Sequence, residues 1–176
     1  MSSLDAMTIP YLGLANGEYS YTFRVDEVFF KHFEKSKIKA GSFNVDIQLE
    51  KRDRMIVILL SADGADRAAC DRCLTEIDVP ISFEDRIILK IEDAPEIQED
   101  EVYYLDTQTS HIDLSTYIYE SIHVHLPLTN LRDCKGEDYV HCDHAALDAL
   151  DQEPSPETPT QENNPWQALE DLDLDN

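Results

Sequence analysis

The stretch from Ala40 to Ser61, AGSFNVDIQLEKRDRMIVILLS, decides the fold class. Phe43, Val45, Ile47 and Leu49 alternate with Asn44, Asp46, Gln48 and Glu50. That is the period-two pattern of a strand with one buried face. Met55 to Ser61 is a continuous apolar run of strand length, and Lys51 to Arg54 between the two segments reads as a hairpin turn. Upstream, Gly17 to Asp26 alternates as well, with Tyr19, Tyr21, Phe23 and Val25 opposite Ser20, Thr22 and Arg24. Asp26 is placed to cap a short helix that gathers Phe29, Phe30 and Phe33 on one side and turns Lys31 and Lys35 outward.

Downstream, Ala62, Asp63 and Gly64 read as another turn. Ala65 to Leu74 and Ile77 to Ile91 read as extended, the second alternating through Val79, Ile81 and Phe83. Residues 92–101 form an acidic loop, and Val102 to Leu105 a short strand. Asp113 predicts the start of a helix running to about His123 or His125, with Leu114, Ile118 and Ile122 at four-residue spacing. Pro127 ends it. Residues 152–164 are rich in Pro, Glu, Thr and Gln without a period and read as a disordered linker. Asn164 and Pro165 then form a cap and first-turn pair, opening a short segment with Trp166 and Leu169 three apart.

The expected fold is therefore α+β, with a mainly antiparallel sheet or partly closed barrel, one short early helix, one longer late helix and a disordered acidic C-terminal tail. The expected organisation is a domain over residues 1–150, a linker over 151–164 and a short helical segment over 165–176. Trp166 and Leu169 either pack back on the domain or dock on a partner.

Charge divides the chain more sharply than its average suggests. The 176 residues carry 14 Lys and Arg against 37 Asp and Glu, a net charge of −23. A protein that coats nucleic acid over its whole surface is excluded, because phosphate contacts need Lys and Arg. A hydrophobic fraction of 42% excludes a wholly disordered acidic chain. Between Lys31 and Arg54, however, seven basic residues face four acidic ones, a local net of +3. These seven, Lys31, Lys35, Lys37, Lys39, Lys51, Arg52 and Arg54, are the candidates for contact with RNA phosphates. After Lys135 there is no Lys or Arg, and twelve carboxylates stand unneutralised to the end. Such a tail either serves solubility or meets a basic partner. No apolar run reaches the ~18–20 residues of a membrane span. The first residues lack the basic start and apolar core of a secretory signal, so the expected location is the cytoplasm.

Four cysteines in such a chain are thiols or metal ligands before they are disulfides. Cys70 and Cys73 stand in a C-x2-C spacing; Cys134 and Cys142 follow later, with His141 and His144 beside them. A C-x2-C turn presents two sulfurs at a spacing that suits one tetrahedral zinc ion. Cys70, Cys73, Cys134 and Cys142 are the metal candidates, and the two histidines are spare ligands. Four reduced, partly buried thiols are the plainer reading. A redox pair is disfavoured, because the C-x2-C sits between extended segments and not at a helix N-terminus. His111, His123 and His125 are expected to be structural. No phosphate-cradling glycine loop or serine nucleophile motif is present, so nothing points to an enzyme or to a small-molecule substrate.

Several of these pieces together resemble one family. Ala69 to Leu74 (ACDRCL), Ile112 to Glu120 leading into His123–Leu128 (HVHLPL), Cys134–Gly136 (CKG) and Asn164–Leu169 (NPWQAL) resemble, in order, the blocks of the YceD-like family, the large ribosomal RNA subunit accumulation proteins. The chain departs from the family pattern after Cys-Lys-Gly, where Glu137 to His141 intervene and only Cys142 follows. The resemblance implies a non-enzymatic cytosolic factor supporting accumulation or processing of large-subunit ribosomal RNA. Its partners would be that RNA, a pre-ribosomal particle or a basic ribosomal protein, with no membrane involved. The alternative is a zinc- or thiol-dependent interaction module that holds a basic ribosomal protein.

Overall fold

The structure, a computed structural model, describes residues 7–92, 102–105, 107–108 and 110–151. The expected acidic loop, the linker and the Trp166–Leu169 segment lie outside the described residues, apart from Glu92 and Asp151. The chain order is β1 (Thr8–Ile9), β2 (Gly17–Val25), α1 (Glu27–Phe30), β3 (Ser42–Arg52), β4 (Met55–Ala69), β5 (Glu76–Ile91), β6 (Val102–Leu105), β7 (Ile112–Asp113), α2 (Ser115–Val124) and α3 (His144–Asp151).

Five strands form one sheet in the order β2-β3-β4-β5-β6, and β1 pairs with β7 in a separate two-stranded ladder. The large sheet is antiparallel except for β6, which runs parallel to β5. It stays open, with β2 and β6 as its edges, so the barrel alternative is overturned. The reason lies in how the apolar face is covered. Phe43, Val45, Ile47 and Leu49 of β3 lie beside Ile56, Ile58, Leu60 and Ala62 of β4 on one face. That face is roofed by Phe29 and Phe30 of α1 and Ile118 and Ile122 of α2, so the sheet need not curl on itself to bury it. Burying each such side chain contributes roughly 1.5–3 kcal/mol.

The caps follow the sequence. Asp26 Oδ1 accepts from Val28 N–H at 2.9 Å, and Asp113 Oδ1 accepts from Ser115 N–H at 2.9 Å. His125 stacks on Phe83 at 4.0 Å and donates its Nδ1–H to Ser121 O at 2.8 Å; His123 donates its Nδ1–H to Tyr119 O at 2.8 Å. Both are structural, as expected. Phe33 falls just beyond α1, half-buried, and stacks on Tyr119 at 3.9 Å.

Further expectations fail. Ala65 to Leu74 is extended only as far as Ala69, where β4 ends and a turn follows. Ala62 to Gly64 is no turn: β4 runs through it without a break, with Gly64 opposite Phe43 on one side and Ile81 on the other. A third helix, α3, was not expected; it is eight residues long and buries none of its side chains fully.

β4 and β5 outrun their neighbour. The last β3–β4 pair is Ser42 with Ala65, whereas β4 and β5 stay paired as far as Ala69 and Glu76. The result is a two-stranded arm that leaves the sheet at the α1 end and carries Cys70 at its tip.

Candidate metal centre and its surroundings

The tip of the arm is a tight knuckle. Cys70 N–H donates to Thr75 O at 2.8 Å and Leu74 N–H to Cys70 O at 2.9 Å, which folds Cys70 and Cys73 toward each other. Leu74 takes a positive φ of 59° to close it. That left-handed conformation costs a residue with a Cβ roughly 1–2 kcal/mol, and glycine avoids most of it. Leu74 is 67% exposed, so its side chain contributes little burial in return. Leu74→Gly is expected to raise stability by about 1 kcal/mol, after allowance for the greater freedom of glycine in the unfolded chain. The check is the denaturant midpoint at unchanged m-value; a lower midpoint counts against the strain.

The second cysteine pair is brought to the knuckle by the segment after α2. Asp71 clamps it from two atoms: its N–H donates to Asn130 O and its carboxylate accepts from Asn130 N–H, both at 2.7 Å. Cys134 then enters through a turn in which Asp133 Oδ1 accepts from Gly136 N–H at 2.9 Å. A single 3₁₀ turn, Glu137–His141, delivers Cys142, whose thiol donates to Asp138 O at 3.4 Å. Asp143 caps α3 through Ala145 N–H at 2.9 Å, and its own N–H donates to the Thr75 hydroxyl oxygen at 3.1 Å, tying the helix back to the knuckle.

All four cysteines are buried and form one cluster with Ile77 and Leu147 packed against it. The sulfurs of Cys70, Cys73 and Cys134 all lie within 4.8 Å of one another, a spacing that could hold a metal ion. Cys70 and Cys134 are 3.8 Å apart. Cys142 is buried in the same cluster but stands outside this group of three, as do His141 and His144; His144 instead meets the Tyr139 ring at 4.4 Å.

The thiols are not equivalent. Burial alone would push Cys73 up, but donors from Thr75 N–H, the Thr75 hydroxyl and Asp143 N–H outweigh it and hold Cys73 at about 6. Burial likewise opposes ionisation of Cys70, and backbone N–H groups of Cys73, Arg132 and Arg72 bring its pKa below the usual thiol value. Cys134 is pushed up to about 12, first by burial and then by the neighbouring sulfurs of Cys142, Cys73 and Cys70. Burial raises Cys142 as well. Hydrogen-bond donors thus favour the thiolate at Cys73 and Cys70, and burial disfavours it at Cys134 and Cys142. Donors of that kind around a sulfur are the outer-shell hydrogen bonds that a thiolate metal site uses.

The sequence marks the four cysteines as candidates, two of them by the C-x2-C spacing, but not the residues around them. Thr75, Asp71 and Asp143 stand out by no motif, and only their adjacency to a cysteine could have marked them.

The seven basic candidates do not form one patch. Gly17 pairs with Lys51 and Val25 with Phe43, so Lys51–Arg54 and Lys31–Lys39 sit at opposite ends of β2 and β3. Eight residues of strand separate those two pairs, about 26 Å. At the hairpin end two of the three cations are already engaged, Lys51 Nζ donating to Leu14 O and Arg52 pairing with Glu50 at 2.8 Å, while Arg54 is exposed. At the α1 end Lys31 pairs with Glu27 at 3.4 Å and Lys39 Nζ donates to Ser36 O at 2.9 Å. Lys35 and Lys37 are exposed there, on the side of the molecule from which the cysteine arm departs.

Comparison with known proteins bears directly on this arm. The family model described as "Large ribosomal RNA subunit accumulation protein YceD" matches residues 60–173, from the middle of β4 through all four cysteines and into the C-terminal residues. The chain belongs to the YceD family. The match includes the knuckle, α2 and the Cys134–Cys142 segment, and omits β1 to β3 and α1. No curated protein and no solved structure matches the chain. The YceD description concerns accumulation of the large ribosomal RNA subunit and names no catalytic activity. No helix among the described residues is long and apolar enough to cross a membrane.

Proposed function

We propose that this chain is a non-enzymatic assembly factor that supports accumulation of large-subunit ribosomal RNA, and that one zinc ion held by Cys70, Cys73, Cys134 and Cys142 fixes the part of the protein that engages its partner. The observation that carries the reading is the convergence of three cysteine sulfurs within 4.8 Å, inside the region matched by the family. When bound, zinc would supply cross-linking of the arm to the segment after α2, without redox chemistry of its own. The donors around Cys70 and Cys73 orient those sulfurs for it.

The partner is ribosomal RNA, met through exposed cations at the α1 end. A second reading, in which the module holds a basic ribosomal protein, draws on the net charge of −23 and the twelve carboxylates after Lys135. Affinity purification of the tagged full chain, with and without ribonuclease, separates them. Large-subunit precursors are expected to co-purify and to be lost with ribonuclease. Retention of a basic ribosomal protein after ribonuclease would transfer the function to protein holding. Recovery of neither would remove both readings.

A further inference from the structure

Beside the cysteine cluster lies a cleft of about 360 Å³, bounded by the knuckle on one side and α3 on the other. Arg72 and Lys135 stand at its rim, Tyr139 and Leu147 form apolar walls, and Asp148 and Asp151 face in from α3. Among the described residues neither Arg72 nor Lys135 makes an ion pair. Tyr139 is 49% exposed, and its ring meets that of His144 at a centroid distance of 4.4 Å and an interplanar angle of 75°. The volume is at the small end of the range for ligand clefts, about 300–1,000 Å³.

We propose that this cleft holds one unpaired nucleotide of RNA, with the base stacked on Tyr139 and the flanking phosphates on Arg72 and Lys135. The inference rests on the RNA reading above and deepens it, placing the contact at the metal centre.

The mixture of charges selects the ligand. An acidic peptide would meet Asp148 and Asp151, and a basic one would meet Arg72 and Lys135. A nucleotide offers both kinds of partner at once: anionic phosphates for the cations, and base N–H groups for the carboxylates. Aromatic stacking of this sort requires a base free of its own duplex, so single strands are selected over duplexes. The location also agrees with the layout of free cations. Lys37 N–H lies 3.4 Å from His123 Nε2, and the chain from His123 reaches the Asp71 clamp at Asn130. Lys35 and Lys37 are exposed at the end of the sheet from which the arm departs. Of the other clefts, the one between β6 and α2 is lined by Asp113 and Glu120 with no Lys or Arg, and the larger one along β5 has Arg86 as its single cation.

The test uses the full metal-loaded chain and a short labelled single-stranded oligoribonucleotide, read by fluorescence anisotropy over a salt series. Tyr139→Ala is expected to weaken binding about five- to a hundred-fold, and Tyr139→Phe to restore most of it. Arg72→Gln with Lys135→Gln is expected to flatten the log-log salt slope by about 1.4, two single-strand phosphate contacts. Neutralising Lys51, Arg52 and Arg54 is expected to leave the slope nearly unchanged. Metal content of each variant, held at the wild-type value, shows that the fold of the module is intact. Wild-type binding that Tyr139→Ala and the double variant leave unaltered overturns the cleft while the RNA reading stands. A preference for duplex over single strand overturns it too. Absence of wild-type RNA binding, with a ribosomal protein lost from Tyr139→Ala after ribonuclease, assigns the cleft to a protein and removes both.

Discussion

Cys73→Ser is expected to reduce bound zinc from about one equivalent to below a tenth and to unravel the segment after α2 while the sheet survives. The wild-type protein, purified without chelator, is the reference. The argument begins with what holds that segment in place. α3 buries no residue fully, and the 3₁₀ turn before it contributes no side chain to the main core. Its ties to the arm are the Asp71–Asn130 clamp, the Thr75–Asp143 hydrogen bond and the cysteine cluster. A few hydrogen bonds at about 0.5–1.5 kcal/mol each do not order some twenty residues against their conformational entropy. Structural zinc contributes about 10–16 kcal/mol of apparent binding free energy in small peptides, enough to do so. Cys73 is the informative choice because its sulfur receives donors from both Thr75 and Asp143, so the serine oxygen leaves the arm and α3 uncoupled together.

The measurement is amide exchange. Protection at the Cys70, Asp71, Leu74 and Cys142 amides, each hydrogen-bonded in the fold, should fall by a factor of a thousand or more, order of magnitude, in Cys73→Ser. Amides of β3 and of the sheet part of β4 should keep theirs. Chelation of the wild type should reproduce the pattern, as should mild acid, because protons compete with the metal for thiolates. Wild-type protein holding less than a tenth of an equivalent, with exchange unaffected by chelator, would leave the four cysteines as buried thiols and nothing more.

How far this site was legible in the sequence depends on which contacts are local. The C-x2-C spacing announces two sulfurs because two residues of turn fix their separation. Cys134 and Cys142 announce nothing by spacing, and they reach the knuckle only because Asp71 clamps Asn130. The strands were legible wherever one face is buried: Phe43 to Leu49 alternates because α1 and α2 roof that side. α1 and α2 were legible through Asp26 and Asp113, whose side chains cap locally. The splitting of the basic window was not legible. Lys31 to Arg54 is contiguous in sequence, yet β3 spans the interval as one extended strand and carries the two halves to opposite ends. Openness of the sheet was not legible either, since alternation is the same in a barrel and in a sheet roofed by helices.

Gly64 is where a local signal misled, and it carries the second large effect. A glycine after Ala62 and Asp63 suggests a turn, but glycine inside a strand also marks a close backbone approach. Here the latter holds. A Cβ on Gly64 would stand 2.2 Å from Ser42 O and 2.7 Å from Phe43 Cα, and both of those atoms are backbone of the adjacent strand. Rotating a side chain does not relieve such a contact; β3 and β4 must separate where Phe43 seals the core against Phe30. Gly64→Ala is therefore expected to cost about 3 kcal/mol or more, read as a lower denaturant midpoint at similar m-value. Gly13→Ala, with nothing within 4 Å of the added carbon, is the control and should stay within about 0.5 kcal/mol. A Gly64→Ala midpoint equal to the control would mean that the strands yield freely there. The same variant bears on the metal centre. Beyond Ala65 the arm pairs only β4 with β5, and the cysteines depend on that pairing and not on β3. Gly64→Ala is thus expected to lower stability while zinc stays at one equivalent, whereas Cys73→Ser empties the metal site while the sheet holds. Opposite responses of this kind would establish the arm as a unit that folds on its metal, distinct from the sheet that carries it.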